Sequence, residues 1–366
     1  MYLQIFPKRN RFQLTGETRH VIVSSKRKGG DWVPATLKDV AKLAGVSVAT
    51  ASRVLNNPEK VAEQSRNKVL AAIEELGYSS NLLAKSLRED RLDAVYVLLP
   101  SLSDPFFAEM HQGILDVLTS YDHYMISAVT EGNQELELGC LSKARVIGPA
   151  GVLLYTRRQN TVKALASGKF DFPVLFLSGN QIPSCGHLLS LETDREKIGT
   201  QAAKHLTDQG CRRLLYLCED PGGIDAEFWR GIQSAAKAAR AECQWHQAAH
   251  SSLDAGRALD EYWKQAKLKP DGILAGNCLQ AAGVLTNLRA AGVCVPEQVS
   301  VISLENAAVA GLTTPQLSTA GPSGYQIGMR GAAMLLDRVR GQSQYERTLD
   351  TTLDTKLIAR GTTRHG

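Results

Sequence analysis

The sequence predicts a small all-α unit near the N-terminus, followed by a larger α/β core with parallel sheets. Over roughly residues 36–76, apolar residues recur with helical spacing and turn residues separate them. From about residue 93 to residue 320, near-continuous apolar runs alternate with helical segments. Such runs are typical of parallel strands buried on both faces. At 366 residues the chain is long enough for two or three domains.

Composition excludes several classes of protein before any motif is considered. The chain is 43% hydrophobic and 22% charged, and it has no apolar run long enough to cross a membrane. The N-terminus also has no long apolar segment, so we expect no secretory leader. The seven cysteines are an odd number and never form C-x-x-C. They favour reduced thiols in a cytoplasmic protein over a disulfide framework or a zinc ribbon.

Positive charge is concentrated at one end of the chain. Residues 1–91 hold sixteen Lys or Arg and nine Asp or Glu, whereas the remainder holds 26 basic and 28 acidic residues. A basic module of this kind fits a polyanionic partner such as DNA. A solvated basic tail would explain the same excess. We expect residues 1–34 to be a disordered basic extension that either adds phosphate contacts or reflects an upstream start codon.

The stretch TLKDVAKLAGVSVATASRVLNN, residues 36–57, predicts two short helices around a tight turn. Thr36 is a candidate N-cap of the first helix. Gly45 is positioned to end that helix, and Ser47 to cap the second. A third helix is predicted over roughly residues 63–76. Together these elements predict a helix-turn-helix.

The second helix is predicted to expose a face of small side chains. A recognition helix lies in the DNA major groove, which is about 12 Å wide, so bulky side chains obstruct entry. Val48 and Ala49 suit thymine methyl groups, and Arg53 suits guanine or phosphate. A three-helix bundle that binds no nucleic acid is the alternative. The predicted DNA contacts here are Thr36, Ser47, Val48, Ala49, Thr50, Ser52, Arg53 and Asn56.

Residues 80–92 predict a short hinge helix and linker. Its apolar residues have few neighbours in sequence against which they can be buried. A leucine on an exposed helix suits insertion between base pairs in the minor groove. An ordinary linker is the alternative. The predicted DNA contacts in this segment are Asn81, Leu82, Ala84 and Leu87.

These residues resemble the DNA-binding headpiece and hinge helix of the lactose-repressor/galactose-repressor (LacI/GalR) family. The resemblance rests on residues 36–57, on the Gly-Tyr pair at 77–78 and on the pattern N-x-x-A-x-S-L at 81–87. It extends over about residues 35–363. It implies a homodimeric bacterial transcription regulator that acts in the cytoplasm, at the nucleoid, on a near-palindromic operator. It most simply implies a repressor of carbohydrate or sugar-acid genes. In that family, the residues at the positions of Val48 and Ala49 set operator preference. The leucine at the position of Leu87 intercalates between base pairs.

The resemblance also implies how the chain is divided. The headpiece would span residues 35–79, and residues 93–363 would form a periplasmic-binding-protein-like core of two doubly wound subdomains. The N-subdomain would comprise about 93–191 and 320–344, and the C-subdomain about 192–319 and 345–361. No leucine heptad follows, so we expect a dimer rather than a coiled-coil tetramer. The core strands are predicted at 94–100, 125–129, 151–155, 173–177, 187–191, 213–219, 272–277 and 299–305, with helices such as 106–119, 195–209, 228–241 and 279–291.

Ligands of doubly wound sheets bind at the carboxyl ends of the strands, where the resemblance places a small-molecule effector. The chain departs from the family at several of these positions. Phe228 replaces a frequent arginine, Cys278 follows Asn277 where Asp is common, and Glu305 lies in a Ser-Leu-Glu-Asn run. These departures argue against binding of a common neutral sugar. The candidate effectors are a less common sugar, a sugar acid or a sugar phosphate. The predicted effector contacts are Asp104, Phe106, Phe107, Thr156, Arg157, Asp194, Lys197, Phe228, Asn277, Cys278 and Glu305.

Several alternatives remain open for the core. The alternative for Phe106 and Phe107 is that they only pack the first helix. The alternative for the arginines after the strands is that they are surface charges, and for Cys278 that it is a core thiol. A solute-binding protein would need a leader and no headpiece, and an effector-independent regulator would need no ligand. Phosphate-loop, dinucleotide, zinc-protease and nucleophile-elbow motifs are absent from the sequence. We therefore expect no enzymatic activity, catalytic residue, cofactor or metal.

Overall fold

A computed structural model describes residues 35–78, 92–168, 170–178, 186–223, 225–249, 252–341, 352–353 and 355–364. The predicted extension (1–34) and nearly all of the predicted hinge lie outside the described residues. By its internal contacts the chain divides into two compact units, Met1–Lys85 and Ser86–Gly366.

Residues 35–78, the described part of the first unit, are all-α, as predicted. The small core of this unit is formed by seven buried residues, Val40, Ala41, Ala44, Ala51, Val54, Val69 and Ala72. Side chains this small let short helices approach closely, so a unit of this size can form its own core. The helices are α1 (Leu37–Ala44), α2 (Val48–Asn56) and α3 (Glu63–Leu76), with a 3-10 turn at Pro58–Lys60.

Local capping interactions set the helix boundaries of this unit. The Thr36 hydroxyl accepts from the Asp39 amide, and the Asp39 carboxylate accepts from the Thr36 amide, which completes a capping box. Gly45 ends α1 with φ 65°, a left-handed conformation that glycine adopts without strain. The Ser47 hydroxyl accepts from the Thr50 amide at 3.1 Å and begins α2. The predicted caps are confirmed.

Helix α3 begins without a side-chain cap, because Ala62 occupies the N-cap position. The family that the sequence resembles usually has Ser or Thr there. We expect Ala62→Ser to stabilise the first turn of α3 by about 1 kcal/mol. Amide hydrogen exchange on the full chain should then slow in the first turn of α3 and stay unchanged in α1. Equal exchange in both proteins would show that this end of α3 needs no cap.

The second unit contains two parallel sheets with helices on both faces, which confirms the predicted α/β class. Its strands are β1 (Leu92–Leu99), β2 (Tyr124–Val129), β3 (Pro149–Leu154), β4 (Val174–Phe176), β5 (Leu188–Ser190), β6 (Glu192–Thr193), β7 (Arg213–Cys218), β8 (Glu242–Gln247), β9 (Gly272–Ala275), β10 (Ser300–Ser303), β11 (Ser318–Ala320), β12 (Thr352–Leu353) and β13 (Leu357–Ile358). Its helices are α4 (Pro105–Ser120), α5 (Gln134–Ile147), α6 (Gln159–Ser167), α7 (Arg195–Asp208), α8 (Ala226–Ala238), α9 (Ser252–Gln265), α10 (Cys278–Ala290) and α11 (Gly324–Val339).

The first sheet has the order β2-β1-β3-β4-β5, and its described strand pairs are parallel. Successive side chains of a strand point to opposite faces of the sheet. Val95 and Val97 lie on one face, where they pack with the buried side chains of α4 and α11. Tyr96 and Leu98 face the other way and pack with α5 and α6. Both faces are therefore covered, and only the strand ends remain open to ligands.

The second sheet has the order β13-β11-β10-β9-β7-β8, in which β13 runs antiparallel to β11 and the other described pairs are parallel. Its β7 residues divide in the same way: Leu215 packs with α9 and α10, and Leu214 packs with α7 and α8. β11 lies in this sheet, while α11, which follows it, packs against β3 and β4 of the first. The chain thus passes from one sheet to the other more than once.

The predicted strands all correspond to observed strands, with ends that differ by at most two residues. The short strands β6, β11 and β12 were not predicted, and neither was the six-residue β8. Its sequence ECQWHQ is polar, and four of its six residues are exposed because β8 lies at the sheet edge. A search for continuous apolar runs finds buried central strands and misses an edge strand of this kind.

Candidate functional site

The exposed side of α2 carries the residues predicted to contact DNA. Ala51 and Val54 are buried beneath the helix, while Val48, Ala49 and Arg53 are exposed and Thr50 and Ser52 are half-buried. Val48 keeps 43% of its surface accessible although it is apolar. An apolar side chain at the start of an exposed helix is unfavourable in water but suits a thymine methyl group.

Two of the predicted DNA contacts, Ser47 and Thr50, also stabilise the start of the helix. The Ser47 and Thr50 hydroxyls lie 2.8 Å apart, and Ser47 also caps α2. Thr36 fills the equivalent role for α1. These hydroxyls fix the angle at which α2 begins, so substitution would alter the helix as well as any contact. The side chain of Asn56 and the predicted contacts Asn81, Leu82, Ala84 and Leu87 lie outside the described residues.

The second unit has a cleft where the carboxyl ends of the two sheets face each other. Its larger cavity has a volume of about 650 Å³, and a smaller one of about 60 Å³ adjoins it. Among the predicted effector residues, the larger is lined by Phe107, Thr156, Arg157, Asn277 and Glu305, and the smaller by Phe106, Arg157, Phe228 and Glu305. The cleft is of a size that suits a small polar metabolite.

The wall that follows β3 is held by a buried carboxylate. Glu137 is 1% exposed, and its Oε2 accepts from the hydroxyls of Thr156 at 3.0 Å and Thr161 at 2.5 Å. The Thr156 oxygen in turn accepts from the Arg158 amide at 3.1 Å. This network fixes the Thr156-Arg157-Arg158 loop at the cleft. Tyr155 stands beside it with its ring 4.9 Å from that of Phe107, nearly perpendicular.

The opposite wall is built around the start of α10. The side-chain Oδ1 of Asn277 caps this helix by accepting from the Gln280 backbone amide at 2.8 Å. The buried Gln280 side chain donates to the carbonyls of Ala248 and Ala249 and accepts from the Gly276 amide. Gln280 therefore ties the ends of β8, β9 and α10 together.

Two arginines meet the acidic start of α8 inside the cleft. Arg157 Nη2 lies 2.7 Å from Asp225 Oδ1, and Arg195 Nη1 lies 3.5 Å from Glu227 Oε2. Arg195 also donates to the Ser178 carbonyl. Burial acts to lower the pKa of Arg157, but Tyr155 and Asp225 offset it and the net shift is upward. Burial lowers the pKa of Arg195, and the nearby Arg157 lowers it further.

Tyr216 lies beneath these arginines and was not predicted as a site residue. Its side chain is fully buried, and its hydroxyl has no hydrogen-bond partner among the described residues. Burial raises its pKa well above the ordinary value, and Asp225 adds to the shift. The hydroxyl lies 3.9 Å from where a Cβ on Gly276 would be, and Gly276 lines both cavities.

Four predicted effector residues line neither cavity. Asp104 and Asp194 cap α4 and α7, so their carboxylates accept from backbone amides. Lys197 is exposed on the outer side of α7. Cys278 is buried, and its thiol donates to the Glu305 carbonyl at 3.2 Å. Burial, with the Glu305 charge, raises the pKa of Cys278 to about 12, which favours the core-thiol reading over a reactive one.

Sequence reasoning missed Tyr155, Asp225 and Gln280, all of which line the larger cavity. The carboxyl ends of the strands point to Tyr155, which directly follows β3. Asp225 lies well beyond the end of β7, just before α8, and Gln280 lies inside α10. A rule based on strand ends does not reach that far along the chain.

Carboxylates outnumber guanidinium groups around the larger cavity. Its acidic lining residues are Glu131, Glu137, Glu219, Asp220, Asp225 and Glu305, and its basic ones are Arg157 and Arg158. Within the described part of the chain, no group of acidic, histidine or cysteine side chains has the arrangement of a metal site. Nor does any described helix combine the length and hydropathy needed to span a membrane.

Two family descriptions match this chain. The family described as "Bacterial regulatory proteins, lacI family" matches residues 36–81, and the "Periplasmic binding protein-like domain" matches residues 203–363. The ribose operon repressor of Bacillus subtilis is 31% identical over 334 residues, which cover 90% of this chain and 99% of the repressor. The chain belongs to the lacI family.

Solved structures of lacI-family regulators share this fold. A LacI-family transcriptional regulator from Silicibacter pomeroyi is 26% identical with a TM-score of 0.75, over 90% of this chain and 100% of that one. The regulator CelR, solved as a cellobiose complex, is 25% identical with a TM-score of 0.64, over 90% and 99%. As a lacI-family member, the chain is a DNA-binding transcriptional regulator with a periplasmic-binding-protein-like core. The predicted family is thereby confirmed.

Proposed function

We propose that this protein is a repressor of carbohydrate or sugar-acid genes whose operator binding is controlled by a small molecule in the cleft. The exposed face of small side chains on α2 supports the DNA-binding part of the proposal. It fits the major groove, and Arg53 lies one turn from Ala49. A homodimer would present two such helices to the half-sites of a near-palindromic operator. The predicted Leu87 contact would add minor-groove binding.

The cleft supports the effector part of the proposal. It combines an aromatic wall, buried amides and carboxylates on the loops of two sheets. Carboxylates accept hydrogen bonds from sugar hydroxyl groups and repel phosphate. We therefore propose a hydroxyl-rich effector, a sugar or a sugar acid with one acidic group near Arg157 and Arg195, in preference to a sugar phosphate.

The control mechanism is a shift between conformations of the core. An effector that contacts both sheets has different affinities for open and closed clefts, and it favours the state it binds better. A difference of about 1–3 kcal/mol would change operator affinity by roughly 5–150-fold. Two relatives, a ribose operon repressor and a regulator solved as a cellobiose complex, support the proposal of a carbohydrate effector.

A thermal-shift panel on the full chain tests the effector class. We expect a sugar or mono-acidic sugar to raise Tm, since a ligand at about 100 times its Kd stabilises the native state by about 2.7 kcal/mol. The matched sugar phosphate should give a smaller shift, because the cavity lining is acidic. The compound that stabilises the protein should also change its affinity for DNA. Stabilisation by phosphates alone would contradict the proposal, and no response to any compound would favour an effector-independent regulator.

A further inference from the structure

The two halves of the core are joined across the cleft by an ion pair. Arg157 follows β3 of the first sheet, and Asp225 precedes α8, which packs on the second sheet. Arg157 Nη2 and Asp225 Oδ1 are 2.7 Å apart, and both residues line the larger cavity. The side chains are 25% and 6% exposed, so the pair is well shielded from water.

Asp225 is positioned without any help from Arg157. Its Oδ2 accepts from the backbone amides of Glu219 and Asp220, at 3.0 Å and 3.1 Å, and all three residues belong to the same side of the cleft. These bonds leave Oδ1 directed at Arg157. The carboxylate is therefore already in place on its own side when the other side approaches.

A closed cleft without this pair would be electrostatically unfavourable. Arg157 and Arg195 are near enough for the charge of one to lower the pKa of the other. Asp225 and Glu227 compensate these two charges from the start of α8. Removing one partner of a shielded pair leaves the other charge poorly solvated, and opening the cleft would return that charge to water.

We propose that the Arg157–Asp225 pair is a latch that holds the cleft closed. Its two partners lie on opposite sides of the cavity, so the pair forms only when the two sides are together. The latch regulates the site assigned to the effector, and in that respect it rests on the proposed function. An effector signals by replacing one partner of the pair or by stabilising the pair in place.

Distance measurements on the full chain, without ligand or DNA, test the latch. Spin labels are introduced through unnatural amino acids at the exposed Lys163 of α6 and Lys237 of α8, one on each side of the cleft. Arg157→Gln and Asp225→Asn remove one charge each, and Asn retains an oxygen for the backbone amides. The matched control is Arg230→Gln, which breaks an exposed pair at 3.2 Å with Glu196 within one side.

We expect one narrow distance distribution in the unsubstituted chain and in Arg230→Gln, and a second, displaced population in both latch variants. Arg157→Lys, which keeps the charge, should retain mainly the closed distance. Superimposable distributions in all of these proteins would overturn the latch. Either latch variant suffices if the other fails to fold.

Operator affinity of the same variants separates the latch from the proposed function. Displaced distances with altered operator affinity support both. Displaced distances with unchanged operator affinity support the latch and contradict control of DNA binding by the cleft.

Discussion

We expect Arg53→Ala to weaken sequence preference in DNA binding while leaving the fold intact. Arg53 is exposed on α2, and the buried side of that helix is formed by Ala51 and Val54. Loss of a base contact costs about 1–3 kcal/mol of discrimination at each half-site. A homodimer would lose two such contacts. We therefore expect affinity for the preferred operator to fall by roughly 30- to 25,000-fold, measured by fluorescence anisotropy at one fixed salt concentration.

Lys68→Ala is the matched control for this prediction. Lys68 is an exposed cation on α3 and lies outside the predicted recognition face. Any phosphate contact it makes is independent of sequence, so its loss would weaken binding to all DNA sequences equally. Preserved preference in Lys68→Ala with lost preference in Arg53→Ala supports base reading by Arg53. Equal behaviour of the two variants would contradict it.

Gly328→Ala destabilises the core, although alanine favours helices over glycine. Helices α4 and α11 cross so closely that a Cβ on Gly328 would lie 2.1 Å from the Met110 carbonyl oxygen. A backbone atom cannot rotate away as a side chain can, so the helices must separate. We expect a loss of about 1–3 kcal/mol in the free energy of unfolding, measured by denaturation of the full chain.

Gly139→Ala is the matched control for that prediction. Gly139 lies inside α5, and a Cβ there would have no neighbour within 4 Å. The same substitution should therefore stabilise the protein by about 0.5–1 kcal/mol through helix propensity. Opposite signs for the two variants support the close crossing of α4 and α11. A gain in stability for both would show that these helices do not pack as tightly as described.

Local signals in the sequence predict the headpiece well. The Thr36 and Ser47 caps, the Gly45 turn and the burial of Ala51 and Val54 all follow from interactions within a few residues. Central strands of the core are similarly predictable, because a strand buried on both faces must be apolar throughout. The edge strand β8 is not predictable in this way, since water accepts its polar side chains.

The cleft is only partly predictable from sequence. Strand ends identify Thr156, Asn277 and Glu305, because parallel strands bring their carboxyl ends to one edge. The pairing of Arg157 with Asp225 joins residues 68 positions apart and depends on how two sheets face each other. Asp104 and Asp194 carry the right chemistry for a ligand, yet each is used as a helix cap. Residue type and spacing do not distinguish a cap from a ligand contact.

The most direct test of the account is to sequence the DNA fragments retained by the full chain and by a Val48→Ser, Ala49→Gln variant. The account predicts that the unsubstituted protein enriches a near-palindromic site. It also predicts that the variant changes the preferred base pairs symmetrically in both half-sites, because these two side chains begin the exposed face of α2. Enrichment of no shared site, or of the same site by both proteins, would contradict the claim that this face reads DNA.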